Sequence, residues 1–219
     1  MTKTPPQITT VGILGAGKVG TAIGRLATNA GYTTLIATAK PKEEIQMLTE
    51  FMVPGARAVD THEIATADLV VVSIPLRKYQ ELDPDLLDGK VVIDTMNYWA
   101  PTDGTIDAFE DPELSSSEIV AKHLAQSTVV RTLNHIGYHD MDEDHRPAGA
   151  PDRRALAVAA DDEEAKQLVM NFIDTVGFDP VDAGTLNDAR AMANGTEIFN
   201  GSHNSRELTH LLQLAKAQA

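Results

Sequence analysis

Val11-Gly12-Ile13-Leu14-Gly15-Ala16-Gly17-Lys18-Val19-Gly20-Thr21-Ala22-Ile23-Gly24 is the stretch from which the fold of this chain follows. An apolar run stops at Gly15, and glycines recur at 17 and 20 before helical spacing sets in. That order reads as strand, tight turn and helix. Gly15 permits the turn. At Gly17 the missing side chain leaves the backbone open to a pyrophosphate, and Gly20 lets the helix pack close to the strand. Gly24, one helical turn on, extends that bare face. The helix start offers unpaired N–H groups and partial positive charge, with Ala16, Lys18 and Val19 completing the cradle. The alternative is a glycine-rich turn with no ligand. Three glycines at a helix start, however, weaken the helix unless the space is needed.

The rest of the chain alternates strand and helix patterns. The first helix is expected over Lys18 to Ala30, a strand over Tyr32 to Thr38, and a helix from Pro41 to Met52. A short strand over Ala56 to Val59 and a short helix over Thr61 to Ala65 follow. Asp68 to Pro75 is continuously apolar, as a strand buried on both faces should be. Next come a helix over Tyr79 to Leu87, a strand over Lys90 to Thr95 and a surface loop over Ala100 to Glu113. Ser115, Ser116 and Ser117 are possible caps for a helix over Ile119 to Gln126, ahead of a strand over Thr128 to Leu133. Asp140 to Arg154 reads as a mobile, solvated lid. A strand over Ala155 to Ala160, a helix to Val176 and a strand over Asp179 to Ala183 follow, then weaker helical patterns over Leu186 to Ala193 and Glu207 to Ala217. The alternation predicts an α/β fold: a doubly wound, mostly parallel Rossmann-type sheet over residues 1–183, with a short helical extension over 184–219.

An NAD-binding chain usually carries an acid about 20 residues past the first glycine, at the end of the second strand, to hold the ribose hydroxyls. Here no acid lies between Gly15 and Lys42. The strand ends instead in Thr38-Ala39-Lys40-Pro41-Lys42, a small hydroxyl and two lysines that suit a 2′-phosphate and so favour NADP. The two lysines also fit an ordinary solvated helix start, which leaves the missing acid unexplained. Ser73, Ile74, Pro75 and Asn97 fall at the carboxyl ends of strands, where open α/β sheets bind ligands, and complete the cofactor candidates.

Composition narrows the partners. The net charge of −14 argues against nucleic acid, whose phosphates need a basic surface. There is no cysteine, hence no disulfide framework or thiolate site. The polar start, Met1 to Gln7, does not read as a signal peptide, and the apolar runs are too short to span a membrane. A cytoplasmic protein with a small-molecule redox partner fits these features.

The opening turn, the acid-free second strand, the Ser73-Ile74-Pro75 strand end and the tail together resemble the NADPH-dependent F420 reductases, also called F420:NADP oxidoreductases. The resemblance covers roughly Val11 to Phe199. Asp182-Ala183-Gly184-Thr185-Leu186 and Arg190 match the family's "DAGPL…R" segment, with Thr185 in place of proline. "VVIDTMNYW", "SSSEIV" and "NHIGYHD" are similar to an actinobacterial subgroup. The resemblance implies a Rossmann domain with a small C-terminal part, commonly as a homodimer, and hydride transfer between NADP(H) and the deazaflavin coenzyme F420. It implies that Gly15, Gly17 and Gly20 form the pyrophosphate turn and that Thr38 and Lys40 lie at the 2′-phosphate, although the family's Ser-Arg-Arg is absent. It puts Ser73, Ile74 and Pro75 near the nicotinamide. Asn134, where archaeal members carry a histidine, with His135, Arg190 and Thr196, would meet the second substrate.

Hydride transfer between flat rings asks the protein to bind, orient and exclude water, since the cofactors carry the reactivity. No Ser-His-Asp set or Tyr-Lys pair stands out in the sequence, and none is required. His135 is the one catalytic candidate, as an orienting donor to a ring carbonyl or amide; a capping or core histidine is the other reading. Arg190 could meet an anionic group or pair with Asp182 or Asp188. The acidic run His139 to His145 lacks the rigid frame that a metal site wants, so no metal is expected. Arg131, Arg146, Arg153 and Arg154 could offset the negative field where an anion docks. A riboflavin-type flavin is an alternative acceptor. An NADP-binding sensor without turnover, or a reductase of another small substrate, is the alternative function. Imine reductases and hydroxyacid dehydrogenases add a long helical domain for which residues 184–219 are too few.

Overall fold

The structure, a computed structural model, describes residues 7–218; the polar stretch from Met1 to Pro6 and the terminal Ala219 lie outside the described residues. Eight strands form one sheet in the order β3-β2-β1-β4-β5-β6-β7-β8. They are β1 (Thr10–Leu14), β2 (Thr33–Ala37), β3 (Arg57–Ala58), β4 (Leu69–Val72), β5 (Val91–Asp94), β6 (Thr128–Arg131), β7 (Ala155–Ala159) and β8 (Asp179–Gly184). All neighbours run parallel except β6 and β7, which meet antiparallel at Arg131 and Ala159. Helices α1 (Lys18–Asn29), α2 (Lys42–Met52), α3 (Ala100–Asp103), α4 (Ser116–His123), α5 (Tyr138–Asp144), α6 (Glu163–Thr175), α7 (Glu197–Asn200) and α8 (Ser205–Gln218) connect or follow the strands.

Strand alternation divides the core in two. Val11, Ile13, Val71, Ile93 and Val130 face α1 and α6 on one side, while Leu14, Val70, Val72, Val92 and Val129 face α4 on the other. A third cluster joins Ala155, Ala157 and Ala159 of β7 to Met192, Ile198, Leu208 and Leu212 of the C-terminal segments. Those alanines project too little to separate the sheet from α8, so the extension lies close on β7 and β8.

Several segments differ from the sequence reading, each for a local reason. Leu76–Glu81 is one 3-10 segment rather than a helix to Leu87, because Pro84 disfavours helical backbone at Asp83 and has no N–H to continue the ladder. The expected loop after Trp99 contains α3, with Pro101 in its first turn and Asp103 accepting the Trp99 N–H at 2.9 Å. Ser115 is the cap of α4: it accepts from the Glu118 N–H, and Glu118 accepts from the Ser115 N–H at 2.7 Å, a reciprocal box that starts the helix at Ser116. Leu186 to Ala193 is a 3-10 segment over Asn187–Met192.

The largest correction concerns the stretch read as a lid. It begins as α5, docked along α1. Met141 is buried in the core, Asp142 pairs with Arg25 at 2.6 Å, and Asp140 and Asp144 pair with Arg154 at 3.2 and 2.8 Å. Acids that would repel one another in solution are held by two arginines, Arg25 of α1 for Asp142 and Arg154, just before β7, for Asp140 and Asp144.

Candidate functional site at the carboxyl edge of the sheet

The strand order reverses direction of growth between β1 and β4, so their carboxyl ends flank a crevice. Two loops meet there. Gly15 has φ +118°, and a Cβ on it would lie 2.6 Å from the carbonyl oxygen of Ser73. A Cβ on Gly20 would lie 2.0 Å from the carbonyl oxygen of Gly15 and 2.5 Å from the Ser73 hydroxyl. That hydroxyl donates to the carbonyls of Leu14 and Gly15 at 3.3 and 3.2 Å, which ties the loop after β4 to the loop after β1. At Gly17, by contrast, a Cβ would meet nothing within 4 Å. Gly17 is the N-cap of α1 with no side-chain cap, and no acid lies in the first turn. The first N–H groups of a three-turn helix are thus left facing an open space, with the positive end of its dipole behind them. These residues fit a pyrophosphate. Ala16 and Val19 are half-buried beneath the turn, and Lys18 is exposed at its rim.

The end of β2 differs from its reading in one respect. Thr38 lies half-buried, its hydroxyl accepting the Lys40 N–H at 3.1 Å, and Ala39 and Lys40 are exposed. Lys40 makes an exposed i,i+4 pair with Glu44 at 3.5 Å, a contact worth little in water. Lys42 is committed elsewhere: Asp60 and Glu63 approach its ammonium at 3.4 and 3.3 Å, and Asp60 also accepts its backbone N–H. Both carboxyls are held below their usual range by backbone hydrogen bonds and by Lys42, which is itself raised by them. The acid missing from the sequence window is supplied in space from beyond β3. Lys42 is thus already paired with two acids, whereas among the described residues Thr38 faces none and Lys40 meets only Glu44, in solvent.

Beyond Ile74 and Pro75, a buried polar spine crosses the ends of β5 and β6. Asp94, fully buried, accepts from the Ser117 hydroxyl at 2.7 Å and pairs with the buried Arg131 at 3.2 Å. Arg131 donates to the Met96 carbonyl and, at 2.8 Å, to the Asn97 side-chain oxygen. Asn97 in turn donates to the Asn134 backbone carbonyl at 2.8 Å, and the Asn134 amide donates to Met192 O at 2.8 Å, fastening the C-terminal extension to the sheet edge. Leu133, with φ +60°, makes the bend that turns Asn134 into this position.

His135 completes the spine, and its role is corrected. Ala157 donates its N–H to Nε2 at 3.0 Å, so Nδ1 carries the proton and donates to the Asn134 oxygen at 3.1 Å. Burial, then the charges of Arg131, Arg154 and His203, push its pKa down to about 3. Both ring nitrogens are used, and no hydrogen bond is left for a ligand: His135 is a neutral core histidine. The arginine field is corrected too. Arg131 answers Asp94, Arg153 is buried against Asp174 and Asp179 at 2.6 and 2.8 Å, Arg154 holds α5, and Arg146 pairs with Asp152.

Arg190 stands apart from those four. It pairs with neither Asp182 nor Asp188; its guanidinium donates to neutral oxygens of Asn187 and Pro112. With Asn97, Tyr98, Ser116 and Asn194 it lines a cleft of about 210 Å³ between the end of β5 and the extension. Thr196 is not among the lining residues: its hydroxyl caps α7 by accepting from Phe199 N–H at 3.2 Å. Among the described residues no group of three His, Asp or Glu side chains is arranged to hold a metal ion, and no helix is long and apolar enough to cross a membrane. Asp94 and the α5 contacts were not singled out from the sequence as parts of the site, and Arg131 was read only as a cation facing an anionic ligand. An acid at a strand's carboxyl end, one position short of Thr95, was the available signal.

Residues 10–98 match the model of a family described as NADP oxidoreductase, coenzyme F420-dependent. The chain is 25% identical over 194 residues to Metalloreductase STEAP3 of Rattus norvegicus, an alignment covering 87% of this chain and 37% of the relative. It thus spans little more than a third of that relative's length. Among solved structures, a hypothetical protein from Sinorhizobium meliloti superposes with a TM-score of 0.78 at 23% identity, over 90% of this chain and 96% of that one. A protein from Arthrobacter sp. FB24, provisionally named an F420-dependent NADP-reductase, superposes with a TM-score of 0.71 at 21% identity, over 97% and 95%. Both likenesses show the Rossmann-type fold.

Proposed function

We propose that this chain binds NADP(H) across the carboxyl ends of β1, β2 and β4 and is an oxidoreductase exchanging hydride with a flat acceptor ring, the deazaflavin F420 or a related flavin. The observation that carries the reading is the glycine turn. Gly15 and Gly20 are bare because Ser73 and the turn's own backbone occupy the space, whereas Gly17 is bare with nothing against it. Packing accounts for two of the three glycines, and a ligand accounts for the third. The family description matched by residues 10–98 supports both the dinucleotide and the deazaflavin.

When bound, the nicotinamide supplies the hydride. The chain's part is to hold and orient. The uncapped N-terminus of α1 takes the pyrophosphate charge, and Thr38 and Lys40 favour a 2′-phosphate. Asn97, clamped by Arg131 and Asn134, presents a fixed amide beside the crevice. The cleft under Arg190 offers an acid-free cation to an anionic acceptor. Titrating the NADPH-loaded protein with oxidised F420, and in parallel with FMN, tests the reading. Bleaching of the F420 visible band at a stoichiometric rate supports the deazaflavin, bleaching of FMN alone supports a flavin, and NADPH binding without either supports a sensor.

A further inference from the structure

The fold brings together two residues that the sequence separates by 120 positions: the Lys18 ammonium donates to the Tyr138 hydroxyl at 3.0 Å and lies 5.0 Å from the centre of its ring. We propose that Tyr138 is a phosphate-gripping residue, and that α5 forms a second wall of the dinucleotide site facing the glycine turn. The inference rests on the dinucleotide reading above and adds to it a binding residue from outside the motif.

Three observations carry it. First, Tyr138 is held in place. It opens α5, which is fastened by Met141 in the core, Asp142 to Arg25, and Asp140 and Asp144 to Arg154, and its ring centre lies 4.2 Å from that of His139 at a tilt of 41°. Secondly, Lys18 sits at the first helical position of α1, next to the open face of Gly17. Among the described residues it enters no ion pair, although the chain carries 32 acidic residues; its ammonium meets the Tyr138 hydroxyl instead. Thirdly, the pair has three N–H or O–H donors to spare. A phenol that accepts from an ammonium keeps its own proton to give, and the ammonium has two N–H bonds left. Donors converging beside a helix N-terminus suit an anionic oxygen. Because the pyrophosphate is common to both dinucleotides, the grip does not distinguish NADPH from NADH.

Calorimetric titration of NADPH and NADH into the unmodified protein, Tyr138→Phe and Lys18→Met tests this, with thermal unfolding of each ligand-free protein alongside. Tyr138→Phe keeps the ring and its packing. We expect it to weaken both dinucleotides by a similar factor of about tenfold, as the loss of a hydrogen bond to a charged group does, with the unfolding temperature unchanged. Lys18→Met should weaken both at least as much, and the double variant should be worse than Lys18→Met by less than the Tyr138→Phe factor, because each residue grips through the other. Unchanged affinities in Tyr138→Phe would overturn the proposal and leave Tyr138 as a packing partner of Lys18. A loss confined to NADPH would overturn it in favour of contact with the 2′-phosphate. If the unmodified protein binds neither dinucleotide, the dinucleotide reading itself falls, which is a different result from either.

Discussion

At the turn between β1 and α1, a Cβ on Gly20 would fall 2.0 Å from a backbone oxygen, and one on Gly17 would touch nothing. At the ends of β5 and β6, buried polar side chains each meet a named partner: Ser117 on Asp94, Asp94 on Arg131, Arg131 on Asn97, Asn134 on Met192, His135 on Ala157. One region is made from bare backbone and a helix dipole, the other from interlocked polar groups. The first tolerates no added atom at two positions and is solvent-facing at the third. The second tolerates no removed atom, because a buried charge or amide left alone keeps its full desolvation penalty.

The largest expected effect is in the second region. Arg131→Leu leaves the Asp94 carboxylate buried without its counter-charge and should destabilise the fold by about 3–5 kcal/mol in urea unfolding. Adding Asp94→Asn should recover part of that loss; no recovery would mean that the pair does not act as a unit. In the first region the glycines should separate. Gly20→Ala should lower both unfolding temperature and NADPH affinity, the latter by about a hundredfold, whereas Gly17→Ala should leave unfolding unchanged and still weaken NADPH. Equal unfolding losses in both variants would erase the distinction between packing and ligand glycines.

Acid should probe the spine again. His135 is neutral when folded down to about pH 3, while the unfolded chain takes up its proton near the ordinary histidine value of about 6.5. Stability from this group is present above about pH 6.5 and is lost as the pH falls towards 3. Between about pH 7.5 and pH 5 the loss should be roughly 2 kcal/mol, and His135→Gln should flatten the slope by that amount. An identical slope in the variant would show that other groups govern it. The smallest effect belongs to the rim of the first region. Lys40→Glu should reduce the preference for NADPH over NADH by about tenfold at low salt and less at high salt. Equal affinities of the unmodified protein for the two would remove the basis for the 2′-phosphate assignment.

The bare region was legible because glycine is informative wherever it stands. Its spacing against an apolar run located the strand, the turn and the helix together, and the strand-four edge at Ser73 followed from a second apolar run. The spine was half legible. Asn97, Asn134 and His135 were singled out as residues near a ligand, but nothing in one dimension said that they would satisfy one another. Arg153 and Arg154 looked available in a polar stretch; each is buried between acids drawn from α5, α6 or β8. Lys42 looked free in an acid-free window until the fold set Asp60 and Glu63 beside it. The run after Gly137 read as a loop because its acids repel along the chain, and it is a helix because Arg25 and Arg154 arrive from elsewhere.

The sequence by itself determined the alternation of strands and helices, the crevice at the ends of β1 and β4, and the open backbone at Gly17. These depend on local backbone freedom and on apolar periodicity, and both are written residue by residue. Only the tertiary structure decided which charges remain available to a ligand. A charge is free or spent according to what lies within about 4 Å of it. For Lys18, Lys42, Arg131, Arg154 and Arg190 that neighbour comes from a distant part of the chain or, for Lys18, is a tyrosine rather than an acid.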